Sequence, residues 1–183
     1  APLPAPRADA PLAPWRAYRE AFEAARGRPD VLRAVTAKAP VALAGGAGWV
    51  LMNLVSSRLL VLGPAAVTFG LLQAIRGIGT GVGPALIARA GGDPARQPSL
   101  WVGAQLLVCG TVTLLALPLG LGAALAVVFV WGVGTGGNWV LASSELQRRA
   151  PRAVLGRLSA VDVLLHTGAM SLGALLLGAL VDA

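Results

Sequence analysis

The sequence is poor in the side chains that do chemistry in water. Its 183 residues include one cysteine, one histidine and eight acidic residues, and charged residues make up 13% of it, against about 25% in an average soluble domain. A single cysteine, Cys109, excludes a disulfide framework, and in the middle of an apolar run it reads as a small packed hydrophobe. One histidine leaves no H-E-x-x-H metal motif, and there is no G-x-S-x-G nucleophile elbow. Ser143 and Ser144 have no base near them in the sequence. Neither an enzyme, a metal site nor a bound cofactor is expected.

What the chain has instead is apolar length. Hydrophobic residues make up 56% of it and the mean hydropathy is +0.72. Uncharged runs cover residues 39–57 (19 residues), 59–75 (17), 97–144 (48) and 163–181 (19). About 20 residues at 1.5 Å rise cross the hydrocarbon core of a bilayer, so the longest run must hold two spans. The stretch "LALPLGLG", residues 115–122, carries the only Pro/Gly turn signal near its middle. The expected architecture is all-α: a polytopic membrane bundle of about five helices, near 40–60, 66–88, 99–117, 121–143 and 158–180.

The second of these contains "GLLQAIRGIGTGVGP", residues 70–84, with glycines at alternate positions. A phosphate-cradling loop would need a strand before it and a helix after it in a βαβ unit, which the surroundings do not offer. Inside a span, Gly77, Gly79, Gly81 and Gly83 form two interleaved G-x-x-x-G pairs that let a neighbouring backbone come close. "GVGTGGNW", residues 132–139, reads the same way.

Net charge is +7 and the isoelectric point near 11.4, yet the distribution argues against nucleic acid as a partner. Of 15 Lys and Arg, thirteen fall on one side if the helices alternate: seven before the first span, Arg89 and Arg96 between the second and third, and Arg148, Arg149, Arg152 and Arg157 between the fourth and fifth. The other side has Arg58 and, at the end, Asp182. By the positive-inside rule the N-terminus is cytoplasmic. Residues 15–38, "WRAYREAFEAARGRPDVLRAVTAK", place Trp15, Tyr18 and Phe22 on one helical face, a lead-in suited to the membrane surface or to the ends of the bundle, with a break at Pro29. Residues 1–14 lack the apolar core of a signal peptide and read as a Pro/Ala-rich linker or loop. With alanine at position 1 and methionine only at Met52 and Met170, the chain is expected to be a piece of a longer protein.

The basic lead-in, a first span with Asn53, "GLLQAIRGIGTGVGP", "NWVLASSELQRRAPRAVLGRLSAVD" (138–162) and "GALLLGALVD" (173–182) together resemble the C-terminal half of a bacterial major facilitator superfamily transporter. The similarity is to the branch of enterobactin-type siderophore exporters and drug efflux proteins. It runs from Trp15 to Asp182, with Gly70, Gln73, Arg76, Gly77, Pro151, Gly156 and Arg157 as its best parts. The resemblance implies that the five spans are helices seven to eleven of twelve, in the bacterial inner membrane. Residues 1–38 would then be the cytoplasmic loop between halves and 39–183 a partial C-terminal bundle, with the N-terminal half and the last helix missing. The family's gating motif would carry an aspartate near Ala88, where "PALIARAGG" has none.

Ionisable groups inside a membrane mark function or a partner. Asp162 and His166, four residues apart in "VDVLLHTG", share a helix face and are candidates for proton coupling. Alternatively Asp162 caps its helix or pairs with Arg76, Arg149 or Arg157, and His166 is hydrogen-bonded in the packing. Arg76, with Gln73 on the same face, is either a contact for an anionic substrate or a lock between helices. Asn53 and Asn138 line a substrate path or hydrogen-bond across helices; Trp49 and Trp139 line a cavity or anchor at the interface. Glu145, Arg149 and Arg157, in "SSELQRRAPRAVLGR" (143–157), form a cytoplasmic gate or simply set orientation. The expected function is a proton-coupled exporter of a small molecule, a siderophore or hydrophobic drug, by alternating access. An importer, or a membrane anchor that does not transport, is the alternative.

Overall fold

The computed structural model describes residues 18, 19, 22, 23, 25–59, 63–90 and 96–181. Among them the regular elements are helices: α1 (Pro29–Thr36), α2 (Ala39–Arg58), α3 (Ala65–Ala90), α4 (Gln97–Leu114), α5 (Leu121–Arg149) and α6 (Leu155–Val181). The linker 1–14, Trp15 and Asp182 lie outside the described residues. Tyr18 and Phe22 of the lead-in have helical backbone and are exposed.

Prolines fall where helices begin. Pro29, Pro40 and Pro98 sit in the first turns of α1, α2 and α4, where the missing N–H has no intrahelical partner to lose. Gly63, with φ of +98°, makes the turn into α3 that a side chain would oppose. The five long helices stand where five spans were expected, but α5 continues to Arg149 rather than ending near 143. Its added turns carry Glu145, Arg148 and Arg149, which pair along the helix.

Among the described residues four helical stretches are long and apolar enough to cross a membrane: Pro29–Arg58, Ala65–Ala90, Leu121–Arg149 and Leu155–Val181. This is the feature of a multi-pass membrane protein. The third expected span, α4, falls short of that standard. Its 18 residues include Gln97, Ser99 and Gln105 and extend about 27 Å at 1.5 Å per residue, against a hydrocarbon core of about 30 Å. Gln105 turns inward and donates to the carbonyl of Ala37 at 3.1 Å.

Glycine sets the closest packing. A Cβ on Gly79 would collide with the Phe129 carbonyl, on Gly83 with that of Val133, on Gly132 with that of Arg76, and on Gly136 with that of Thr80. Contacts therefore advance together along α3 and α5, so the two helices run in the same direction with backbones touching. Of the four alternating glycines only Gly79 and Gly83 serve this contact; Gly77 and Gly81 have open space around them. Residues two apart on a helix face different ways, and one neighbour meets one face. A second pair, α2 and α6, meets through Gly46 against Met170 and Gly173 against Leu43. Helix α4 runs opposite to α5, as Gln97 with Arg148 and Trp101 with Asn138 require. The helices thus alternate in direction, and the basic segments gather at one end.

The main core lies between α2, α3, α4 and α5, where Met52, Leu72, Val108, Val128 and Trp131 are fully buried. A smaller core at the basic end seats Val31, Ala34 and Val35 of α1 on Leu146, Ala150 and Leu158. The outer faces of α4 and α6 are apolar and exposed, with Leu106 at 67% and Leu180 at 72% exposure. Cys109 is exposed as well, not packed as expected, because the α4 surface turned toward α5 carries Ala104, Val108 and Thr111 instead.

Gly79→Ala or Gly132→Ala is expected to lower stability in detergent by about 1–3 kcal/mol, since overpacking pushes two backbones apart. Gly77→Ala is expected to be neutral or stabilising. Thermal unfolding of the three variants checks this, and equal effects at Gly77 and Gly79 would contradict the α3–α5 contact.

Candidate functional site

Two charged groups lie inside the bundle. The first is Lys38, in the short link between α1 and α2. It is 4% exposed, and its Nζ lies 2.5 Å from Oδ2 of Asp162, itself 4% exposed on α6. The ammonium also sits over the Trp139 ring, 4.2 Å from its centroid. Trp139 in turn meets His166 edge-on, with ring centroids 5.2 Å apart. The other carboxylate oxygen, Asp162 Oδ1, and His166 Nδ1 are buried and have no hydrogen-bond partner among the described residues.

Arg76, Arg149 and Arg157 were the partners considered for Asp162 in the alternative to proton coupling; the partner the structure shows is Lys38. The reason is the parallel course of α2 and α6. Lys38 pairs with Asp162, and eight residues further along both chains Gly46 meets Met170. The expected hydrogen bond at His166 is replaced by the aromatic contact with Trp139. Sequence reasoning counted Lys38 only as a topology charge. Its one local signal is that it is the last charge before a 19-residue uncharged run.

The second group is Arg76, near the middle of α3. Its Nε donates to Gln73 Oε1 at 2.9 Å, and its guanidinium carbon lies 5.1 Å from the Trp131 centroid and 5.5 Å from that of Trp49. Trp131 is fully buried; Trp49 is 39% exposed and tilted against Phe69. Asn53, one turn beyond Trp49 on α2, is exposed. Asn138 makes the hydrogen bond across helices that was one of its two readings. It is buried, and its Oδ1 accepts the indole N–H of Trp101 at 2.8 Å, joining α5 to α4.

At the basic end, Glu145 accepts from both Arg148 and Arg149. Arg148 also donates to Gln97 Oε1 at 2.5 Å, and Arg28 to the Arg149 carbonyl at 3.1 Å. Asp30 lies 3.8 Å from Arg28 and 3.9 Å from Arg149. Between α1, α4 and α5, Asp30, Gln97, Glu145, Arg148 and Arg149 rim a cleft of about 540 Å³, with Leu141 and Trp101 in its wall. Arg157 sits half-buried in the first turn of α6. Glu145 and Arg149 are therefore paired with each other, and Asp30, Arg28 and Gln97 reach this group from segments that sequence reasoning did not connect. Among the described residues no three His, Cys, Asp or Glu side chains come together to hold a metal ion.

No family model matches the sequence, and no curated protein or solved structure is significantly similar to it.

Chemically, the Lys38–Asp162–His166 cluster is a buried ion pair with a histidine one helical turn away. A carboxylate with one oxygen paired and the other free in an apolar surrounding has an open position, one helical turn from an imidazole nitrogen that is also open. Adding a proton there cancels the charge that holds Lys38. Removing either partner of such a buried pair strands a charge, at a cost of about 3–5 kcal/mol. Lys38→Met and Asp162→Leu are each expected to destabilise by that order in detergent, and the double variant to recover most of the loss. Calorimetric unfolding of the three proteins tests this; additive losses in the double variant would show that the two charges are not coupled.

Proposed function

We propose that this chain is part of a membrane transporter that moves a small molecule by alternating access, coupled to protons. The supporting observation is a buried ion pair, Lys38 with Asp162, flanked by two unpartnered titratable atoms inside an apolar helix bundle. Structural packing alone does not call for such a group, because a pair of well-packed apolar residues is often as stable. Intramembrane charge is retained where something must bind, move or switch. In this reading a proton from the aqueous side reaches Asp162 Oδ1 and neutralises the carboxylate. Lys38 then loses its counter-ion, and the link between α1 and α2 is free to shift against α6.

The resemblance to the C-terminal half of a major facilitator superfamily transporter supplies the frame. In that frame the five long helices are helices seven to eleven, the basic end is cytoplasmic, and the membrane is the bacterial inner membrane. The cargo crosses between this half and a second, homologous one. The same resemblance favours export of a siderophore or hydrophobic drug, with Arg76, Gln73 and Asn53 on the path. Glu145 and Arg149 stand at the cytoplasmic mouth, and Arg157 belongs to the same basic end.

The test is proton movement in everted vesicles carrying the full-length protein, followed with a pH-sensitive dye while candidate siderophores and hydrophobic drugs are added singly. Substrate-triggered collapse of the pH gradient is expected for the wild type and not for Asp162→Asn, at equal expression. Collapse that persists in Asp162→Asn removes the residue from coupling. A wild type that moves neither protons nor labelled compounds sinks the transport reading.

A further inference from the structure

We propose that Arg76, Gln73 and Trp49 form a binding site for an anionic group carried on a flat ring, that is, an aromatic carboxylate or an acid of similar shape. As a statement about cargo it rests on the transport reading above; as a statement about binding it does not.

The argument starts from charge. Arginine stays ionised, and Arg76 lies about 16 Å along α3 from Ala65 at 1.5 Å per residue, far from either end. A cation at that depth needs a compensating partner. None of the described acidic side chains provides one. Glu23 pairs with Arg19, Asp30 with Arg28 and Arg149, Glu145 with Arg148 and Arg149, and Asp162 with Lys38. Only Nε of Arg76 is engaged, by Gln73. Its two Nη groups, which form the fork that matches a carboxylate with paired N–H donors, have no acceptor among the described residues.

The surroundings specify the rest. Trp131 is fully buried and its ring is occupied by the guanidinium and by the close approach of Gly48. Trp49, by contrast, keeps 39% of its surface exposed while lying 5.5 Å from the same guanidinium. The guanidinium lies over its ring and Phe69 tilts against it at 6.1 Å between centroids, so what Trp49 offers is the exposed remainder of the indole, beside the Nη edge of Arg76. Gln73 fixes the guanidinium by its Nε edge, which leaves the Nη edge for the incoming anion. Asn53, exposed one turn away, adds a polar group on the same helix as Trp49. These polar groups set the α2–α3 surface apart from the outer faces of α4 and α6, whose exposed side chains are dominated by Leu and Val. The combination favours an occupant that brings a negative charge to Arg76 and a ring to Trp49.

Binding is measured on the purified full-length protein in lipid nanodiscs, by equilibrium dialysis of radiolabelled benzoate, with empty nanodiscs subtracted. Saturable binding is expected, with benzamide and benzylamine competing about ten-fold or more weakly than unlabelled benzoate. Cyclohexanecarboxylate, which keeps the charge and lacks the flat ring, is expected to compete less well than benzoate. Arg76→Gln should abolish binding, and Arg76→Lys should weaken it because an ammonium lacks the planar fork. Trp49→Leu should erase the preference for benzoate over cyclohexanecarboxylate. Absence of saturable benzoate binding to the wild type overturns the proposal, as does competition by benzamide equal to that by benzoate. Both of those readings are free of any folding defect in a variant. Retained binding in Arg76→Gln overturns it as well. No gradient is involved, so benzoate binding without proton movement would count against transport and leave this site standing. Proton movement without benzoate binding would do the reverse.

Discussion

Between helices in an apolar medium there is little hydrophobic force to gain, and association depends on how closely surfaces fit. In this chain the fit is made by backbone against backbone. Gly132 of α5 lies against the carbonyl of Arg76 and Gly136 against that of Thr80, while Gly79 and Gly83 return the contact from α3. The position of Arg76 follows from this. With its carbonyl fixed on Gly132, its side chain leaves α3 beside Trp131, the residue before Gly132, and stacks there. Gly48 leaves room for the edge of the same indole on the α2 side. Trp49, the next residue, is thereby brought to the guanidinium. Any side chain at Gly48 or Gly132 would separate the helices that assemble this group.

The same device at α2 and α6 produces a different electrostatic result. Gly46 and Gly173 let those helices run together, and the charges near their starts come into register as a pair. The bundle therefore holds two cations in two ways. Lys38 is matched by a carboxylate and an aromatic face. Arg76 has aromatic faces and one amide oxygen, but no anion among the described residues. Cation–π contact is worth about 2 kcal/mol or somewhat more when desolvated, less than the several kcal/mol needed to take an ion out of water. The first arrangement closes on itself within the described residues, and the second calls for an anionic partner.

Much of this could be read in advance, and what could not has a common cause. Span positions follow from where charge is absent, and alternation follows from where it is concentrated; both are properties of consecutive residues. Arg76 stands out as a lone charge far from either end of its span. By contrast, Lys38 and Asp162 are 124 positions apart, and nothing local ties them. Gly77 and Gly79 are equivalent by pattern, and only the position of α5 distinguishes them. Asn138 was open to two readings, and Trp101 arrives from α4 to make the hydrogen-bonded one. The apolar character of α4 falls short for a different reason: its uncharged run hides polar Gln97, Ser99 and Gln105, which carry no charge but lower its apolar content.

The basic end shows which of its interactions hold it together. Glu145 with Arg148 and Arg149 is a set of pairs within one helix, and the Asp30 contacts at 3.8 and 3.9 Å are partly exposed. Exposed pairs of that kind contribute about 0–1 kcal/mol each. Val31, Ala34 and Val35, buried on Leu146, Ala150 and Leu158, contribute more, at about 25 cal/mol per Å² of apolar surface covered. So α1 is held to α5 and α6 by its apolar face, and the charges around the cleft can exchange partners without releasing it. The one electrostatic contact near α1 that cannot be exchanged cheaply is Lys38 with Asp162, because both charges are out of water. A change at that pair alters how the α1–α2 link sits on α6, whereas a change at Glu145 mainly redistributes hydrogen bonds that water can replace.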